Sequence, residues 1–371
     1  MSIKKIIVVL FGAAVILSGC SSIPEGERVQ ARNVPHPAEP AETVRLDSAA
    51  ASVLYCPDNG EMLYGHDIHE KRAIASITKI MTAVVALESG ISPDKVVNIT
   101  PAMYAEGSSM YLREGEKLTL CEIIKGMMAV SGNDAANAVA ITVGGSCESF
   151  ADMMNKKAAK LGMRNTHFVT PSGLDDEEHY STAYDMALLC AHAMEISAFC
   201  DIVKEKSVTV RYVYPAEKQT VLYNHNSLLS RCKGCIGIKT GYTMKAGRTL
   251  TSCAQRNGVR LIAVTLSDRN DWEDHCRLYD HGFSLVERVC LADKDKKIRL
   301  PSADKRIGET ELTPEKAIYA TVRKGEKKII TERITAPDIV FPSADEDHSV
   351  GTIEFFLDGK VIAGGRLVIR E

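Results

Sequence analysis

The stretch Ala75-Ser76-Ile77-Thr78-Lys79-Ile80-Met81-Thr82 opens an apolar run whose spacing changes from that of strands to that of a helix. The sequence therefore predicts a helix that begins at Ser76, and Lys79 then lies one turn away on the same face. The N-terminus of a helix directs free backbone N–H groups at the serine, and these can stabilise a developing oxyanion. The apolar positions of this face are Ile77, Ile80, Met81, Val84, Val85 and Leu87.

Two further short motifs follow in order, Ser131-Gly132-Asn133 and Lys239-Thr240-Gly241, and each pattern occurs once in the chain. The S-x-x-K pattern of Ser76 is less specific, because it recurs at residues 2–5, 230–233 and 302–305. Taken singly, each motif has an ordinary structural explanation as a helix cap, a solvated lysine, a turn or a strand end. The combination of all three at element boundaries favours a catalytic site.

A serine hydroxyl is a weak nucleophile unless a nearby base takes its proton. Lys79 can be that base only in its neutral form, which requires burial or a neighbouring positive charge such as Lys239. Ser131 would relay the proton, and Asn133 would hold the lysine and a substrate amide. These residue types therefore indicate serine-based acyl transfer.

The motifs resemble those of penicillin-binding proteins and class A β-lactamases. The surrounding sequence is similar to the low-molecular-mass D-alanyl-D-alanine carboxypeptidases over about residues 44–288. The resemblance implies a serine enzyme that removes the terminal D-alanine from peptidoglycan stem peptides, that β-lactams acylate, and that needs no metal or organic cofactor. The matching passages are residues 75–82, 107–112, 129–136, 166–168, 171–174, 179–185, 237–243 and 246–247.

The same resemblance assigns catalytic roles residue by residue. Ser76 would be the acylated nucleophile and Lys79 its general base, with Ser131 and Asn133 as the second catalytic element.

On the substrate-binding strand, Lys239 and Thr240 would bind the terminal carboxylate, and Gly241 would let the backbone approach the ligand closely. The backbone N–H groups of Ser76 and Tyr242 would form the oxyanion hole.

Two alternatives stay open at this stage. A β-lactamase uses the same three motifs, but here the second motif is Ser-Gly-Asn rather than Ser-Asp-Asn, and no Glu-x-x-x-Asn segment is evident between Ser131 and Lys239. A catalytically weak lipoprotein that binds peptidoglycan as a scaffold is the other alternative. Retention of Ser76, Lys79, Ser131 and Lys239 argues against it.

The predicted fold is a mixed α/β fold of the α+β type, with a β-lactamase/transpeptidase-like domain at 44–288 and a small β domain at 289–371. The helices are expected from residue 76 and at 118–130, 135–143, 150–161, 182–196 and 271–287. Strands are expected at 44–55, 61–64, 208–213, 220–223, 250–255, 260–266, 297–300, 317–322, 328–334, 352–357 and 360–369.

The N-terminus predicts export. Lys4 and Lys5 precede an apolar run that ends at Leu17-Ser18-Gly19-Cys20, which resembles the lipobox of bacterial lipoproteins. We expect a signal peptide at 1–19, a lipidated Cys20, a Pro-rich linker over 20–43, and attachment to the outer face of the cytoplasmic membrane. An ordinary signal peptide with an incidental cysteine is the alternative. The strand-like run before Arg370 predicts no second anchor at the other end.

Composition excludes several classes. The 371 residues include 45 Lys and Arg against 48 Asp and Glu, and this near balance argues against a nucleic-acid partner. With 45 % hydrophobic and 25 % charged residues, the chain is expected to be globular. Of its 11 cysteines, only Cys232 and Cys235 form a C-x-x-C pair, so we expect thiols with at most one local disulfide and no zinc site.

Overall fold

The structure, a computed structural model, describes residues 44–304, 306, 308–341 and 349–369. All of them belong to one unit spanning Glu39–Glu371. The predicted signal peptide, Cys20 and the whole Pro-rich linker lie outside the described residues, so these expectations stay predictions.

The larger part of the chain alternates strands with helices. Its strands are β1 (Ala51–Cys56), β2 (Glu61–His66), β3 (Val96–Asn98), β4 (Lys117–Thr119), β5 (Ser207–Arg211), β6 (Gln219–Tyr223), β7 (Cys235–Thr243), β8 (Gly247–Arg256) and β9 (Val259–Leu266). Its helices are α1 (Lys79–Leu87), α2 (Leu120–Val130), α3 (Asn133–Gly144), α4 (Cys147–Lys160), α5 (Ala183–Ala193), α6 (Ser197–Val203), α7 (Leu228–Arg231) and α8 (Asp271–Leu285).

A five-stranded antiparallel sheet, in the order β2-β1-β9-β8-β7, separates two hydrophobic layers. Successive strand residues point to opposite faces, so Val53 packs into the layer of α1 to α6 while Leu54 packs against α8. Both side chains are fully buried. Because β7 forms one edge of this sheet, one side of its backbone is free to meet a ligand.

The smaller part is built from strands β10 (Val286–Ala292), β11 (Ile298–Pro301), β12 (Glu309–Pro314), β13 (Ile318–Arg323), β14 (Thr331–Thr335), β15 (Gly351–Leu357) and β16 (Lys360–Ile369). Strand β10 pairs with β13, and the others form a sheet in the order β11-β12-β16-β15-β14. The predicted domain boundary between residues 288 and 289 falls inside β10. An ion pair of Arg323 with Glu61 joins this part to β2.

The structure corrects several predicted element bounds. The predicted helix from Ser76 opens as a 3₁₀ turn, Ala75–Thr78, and α1 begins only at Lys79. The Thr78 hydroxyl donates to the Ala75 carbonyl at 2.8 Å, which favours the tighter turn.

Two other predicted elements end or begin differently. The helix predicted over 271–287 ends at Leu285, because Val286 already pairs with Arg323 of β13. The strand predicted at 328–334 begins with a 3₁₀ turn, Glu326–Ile329. Sequence periodicity also missed the strands β3, β4, β10 and β12 and the short helices α6 and α7.

Within the described part of the chain, Cys232 and Cys235 are both free thiols. The thiol of Cys232 interacts instead with that of Cys276 on α8. Among these residues no single helix is both long and apolar enough to cross a membrane, although the bent pair α5 and α6 passes on length and composition together.

Candidate active site

Ser76 lies in the 3₁₀ turn Ala75–Thr78, directly beside the edge strand β7. We call Ala75–Thr78 the nucleophile turn, because Ser76 is the expected nucleophile. Strand β8 also supports this turn, because the Thr249 hydroxyl donates to the Ile74 carbonyl at 3.0 Å. Ala75 itself has a left-handed φ of 50°. A non-glycine residue in this region costs free energy, so the surrounding contacts must hold the turn in shape.

Lys79 is completely buried, and its Nζ lies within hydrogen-bond distance of three oxygens. These are Ser76 Oγ at 2.9 Å, Asn133 Oδ1 at 2.7 Å and the Ser172 carbonyl at 2.6 Å. The neutral amine has two N–H groups, which can donate to Asn133 and Ser172, and one lone pair, which can accept from the Ser76 hydroxyl. Burial, aided by the Lys239 charge, holds the pKa of Lys79 well below its ordinary range, and Asp134 opposes the shift. The neutral form that proton abstraction needs is therefore favoured.

Ser131 and Asn133 lie at the junction between α2 and α3. Ser131 ends α2 with a left-handed φ of 62°, and its hydroxyl makes no hydrogen bond with the described residues. Asn133 starts α3, and its Nδ2 donates to the Glu106 carbonyl at 2.7 Å while Oδ1 faces Lys79. The structure thus brings Asn133 to the lysine but leaves the relay role of Ser131 a prediction.

Asp134 also lies at the site, although the sequence analysis assigned it no role of its own. Its buried carboxylate accepts hydrogen bonds from Ser109 Oγ at 2.7 Å and from the backbone N–H groups of Met110 and Leu112 at 2.9 and 3.0 Å. These bonds hold the loop that carries Glu106 against Asn133. The acid next to the motif was the available signal, but only the folded chain shows its partners.

Strand β7 passes close to Ser76. A Cβ on Gly241 would lie 2.4 Å from Thr249 Oγ1 and 2.9 Å from the backbone nitrogen of Ser76, so only glycine fits there. Thr240 and Tyr242 flank this glycine, which places the Tyr242 backbone next to the nucleophile turn. The ring of Tyr242 is exposed.

Lys239 is buried and pairs with no carboxylate among the described residues. Its Nζ donates to the Thr240 carbonyl at 2.8 Å, and burial lowers its pKa to about 7. Partial burial, together with the Lys239 charge, also lowers the pKa of His225. A buried cation without a counterion favours an anionic ligand.

The segment between α4 and α5 contacts both Lys79 and the end of β7. Thr243 Oγ1 at the end of β7 donates to Asp175 Oδ1 of this segment at 2.7 Å. The carbonyl of Ser172 reaches Lys79, as described above, and Thr82 Oγ1 donates to the Pro171 carbonyl at 2.6 Å. Sequence reasoning assigned no role to this segment.

Two family models match separate parts of the chain. The model of D-alanyl-D-alanine carboxypeptidase matches residues 38–270, and that of the penicillin-binding protein 5 C-terminal domain matches residues 287–371. The chain belongs to the D-alanyl-D-alanine carboxypeptidase family. The expected fold class, family and enzyme class are thereby confirmed, and this carboxypeptidase is a serine peptidase rather than a β-lactamase.

Characterised relatives resemble this carboxypeptidase over most of their length. The D-alanyl-D-alanine carboxypeptidase DacF of Bacillus subtilis is 34 % identical over 87 % of this chain and 85 % of its own. DacC of Escherichia coli is 33 % identical over 89 % and 86 %. Penicillin-binding protein 5 of Haemophilus influenzae superposes with a TM-score of 0.65 at 27 % identity, covering 89 % of this chain and 98 % of that one.

The family defines what this carboxypeptidase acts on. Its members remove D-alanine from peptidoglycan stem peptides, and acylation by β-lactams is characteristic of them.

Proposed function

We propose that this carboxypeptidase acts through an acyl-enzyme on Ser76, with Lys79 as the general base. The proposal rests on the hydrogen bond between Lys79 Nζ and Ser76 Oγ, which are 2.9 Å apart, and on the complete burial of the Lys79 side chain. Serine and lysine at this distance, with the lysine deprived of solvent, form an activated nucleophile.

Acylation follows from these positions. Ser76 Oγ attacks the carbonyl carbon of the D-Ala-D-Ala bond while its proton passes to Lys79 Nζ. The backbone N–H groups of Ser76 and Tyr242 bind the oxyanion, and D-alanine leaves as its amine takes the proton. Water then hydrolyses the Ser76 ester and regenerates the hydroxyl.

Lys239 and Thr240 would bind the terminal carboxylate of the stem peptide. The lack of a carboxylate partner for Lys239 in the described part of the chain supports this role, because an anionic substrate supplies the missing counterion. The same carboxylate is present on penicillins, which explains why one site would accept both.

We further propose that Cys20 carries the lipid that attaches the mature protein to the outer face of the cytoplasmic membrane. The lipobox-like Leu17-Ser18-Gly19-Cys20 supports it, and residues 21–43 would then be the tether.

The assignment of Ser76 is tested by mass spectrometry after treatment with penicillin and by release of D-alanine from a muropeptide. We expect the adduct on the Ser76 peptide, and Ser76→Ala should lose both adduct and D-alanine release. Ser230→Ala is the matched control, because Ser230 begins a second S-x-x-K pattern and is exposed. An adduct that persists in Ser76→Ala contradicts the proposal, and an adduct without D-alanine release would favour the scaffold alternative.

A further inference from the structure

His179 is a buried histidine beneath the nucleophile turn, and the sequence motifs assign it no role. It is only 3 % exposed. Its Nδ1 lies 3.0 Å from the backbone nitrogen of Val169 and 3.3 Å from that of Thr170. Backbone N–H groups can only donate, so Nδ1 accepts and the ring proton lies on Nε2.

The other ring nitrogen reaches the nucleophile turn. Nε2 lies 2.8 Å from Thr78 Oγ1, and it donates to that oxygen because it carries the proton. The Thr78 hydroxyl in turn donates to the Ala75 carbonyl at 2.8 Å. A directed chain of hydrogen bonds thus runs from Val169 through His179 to the residue that precedes Ser76.

The segment that His179 fastens, residues 169–173, is the one that covers Lys79. Its Ser172 carbonyl accepts from Lys79 Nζ at 2.6 Å. Gly173 lies so close that a Cβ there would be 2.0 Å from the Ala75 carbonyl oxygen. The segment is therefore in direct contact both with Lys79 and with the turn that carries Ser76.

We propose that His179 is a positioning residue that clamps residues 169–173 onto the nucleophile turn and so keeps water away from Lys79. The proposal rests on the role of Lys79 as general base given above. It assigns His179 no contact with substrate.

The charges around both groups are consistent with this role. Burial lowers the pKa of His179 to about 4, so the ring is neutral near neutral pH and the hydrogen-bond directions hold. The charged and titratable groups that face His179 are Asp175, Asp176 and His167 of its own segment, and Lys79.

Lys79 is faced by Lys239 from β7 and Asp134 from α3, which act on its pKa in opposite directions. Burial is the largest cause of its lowered pKa. If the clamp is released, water solvates the ammonium and the pKa of Lys79 rises.

The test is the pH dependence of the second-order rate constant for acylation by penicillin. In His179→Ala we expect the ascending limb to move about one pH unit upward, which is about a tenfold lower rate on the acidic side, while the maximal rate is largely retained. His179→Gln places an amide donor near the position of Nε2 and should move the limb less. His167→Ala is the matched control on the same segment and should leave the limb in place.

Thr78→Val removes the partner hydroxyl with little change of shape, and it should move the limb as His179→Ala does. It decides the question alone if His179→Ala does not fold, as judged by circular dichroism. A limb that stays in place in folded variants, including one with a uniformly lower rate, would overturn the clamp. Absence of an adduct in the wild-type protein would instead overturn the proposed function.

Discussion

At the scale of single residues, the site depends on two buried lysines with different tasks. In the proposed mechanism, Lys79 must be neutral to take a proton, whereas Lys239 must be charged to bind a carboxylate. Burial lowers the pKa of both, but the Lys239 charge adds to the effect on Lys79. The Lys239 charge therefore favours the neutral form of Lys79 that proton transfer needs.

This pairing predicts a bell-shaped pH profile of kcat/KM for a D-Ala-D-Ala peptide. The rising limb reports loss of the Lys79 proton, and the falling limb reports loss of the Lys239 charge as pH rises through about 7. Steady-state kinetics from pH 5 to 10 measure both limbs. Lys239→Arg keeps its charge at every pH in this range, so its falling limb should disappear, although its maximal rate is expected to be lower. A falling limb that survives unchanged in Lys239→Arg would show that another group causes it.

At the scale of elements, the edge strand β7 and the nucleophile turn must approach without a side chain between them. Gly241 makes that approach possible, since a Cβ would meet both Thr249 Oγ1 and the Ser76 nitrogen. The oxyanion hole needs the backbones of Ser76 and Tyr242 within hydrogen-bond reach of one oxygen.

Gly241→Ala should therefore lower the acylation rate about 100-fold, the effect that a displacement of about 1 Å can have on reacting groups. The rate of penicillin acylation measures it, with the thermal midpoint as a check of folding. Gly364→Ala in β16 is the control. A Cβ there would lie 3.1 Å from its nearest neighbour, the Ile353 carbonyl oxygen, which belongs to the C-terminal strands and not to the site motifs. Near-normal acylation in Gly241→Ala would show that the strand can move aside.

The start of α8 contains a second pH-sensitive group. Burial and the neighbouring Asp268 carboxylate raise the pKa of Asp274 to about 6, and each of these aspartates has one buried oxygen without a partner among the described residues. A raised carboxyl pKa means that the folded state binds the proton more tightly. The stabilisation is thus present at low pH and is lost as pH rises from about 4 to about 6.

Asp274→Asn resembles the protonated carboxyl at every pH. We expect it to raise Tm by about 2–4 °C at pH 7.5, as about 1 kcal/mol would, and to have no effect near pH 4. Calorimetry at both pH values measures the difference. Glu273→Gln, an exposed acid on the same helix, is the matched control. An equal shift of Tm at both pH values would contradict the linkage.

At the scale of the whole molecule, attachment decides where the enzyme can work. Cys20→Ala should move the protein from a detergent-requiring membrane fraction to the soluble fraction, because two acyl chains on Cys20 would supply all the stable attachment. Acylation of Ser76 by penicillin should be unchanged. Fractionation and mass measurement of the mature N-terminus test this. Full membrane retention of Cys20→Ala with the signal segment removed would refute the lipid anchor.

The motifs alone were enough to predict the family, and they singled out Ser76, Lys79 and Lys239-Thr240-Gly241 as candidate site residues. Ser76 and Lys79 are three residues apart, and helical geometry alone places them on one face. The uniqueness of Ser131-Gly132-Asn133 and Lys239-Thr240-Gly241 was likewise visible without coordinates. Element bounds were less certain, because strand pairing at Val286 overrides the helical pattern of the residues before it.

The surroundings of Lys79, which set its proton affinity, depend on contacts between residues far apart in the chain. Asn133 and the Ser172 carbonyl come to it from 54 and 93 residues along the chain, and His179 reaches Thr78 across 101 residues. Local periodicity carries no information on such contacts, since they depend on how the helices and the segment before α5 pack against the sheet. Burial of the lysine, and hence its neutral form, is a property of that packing.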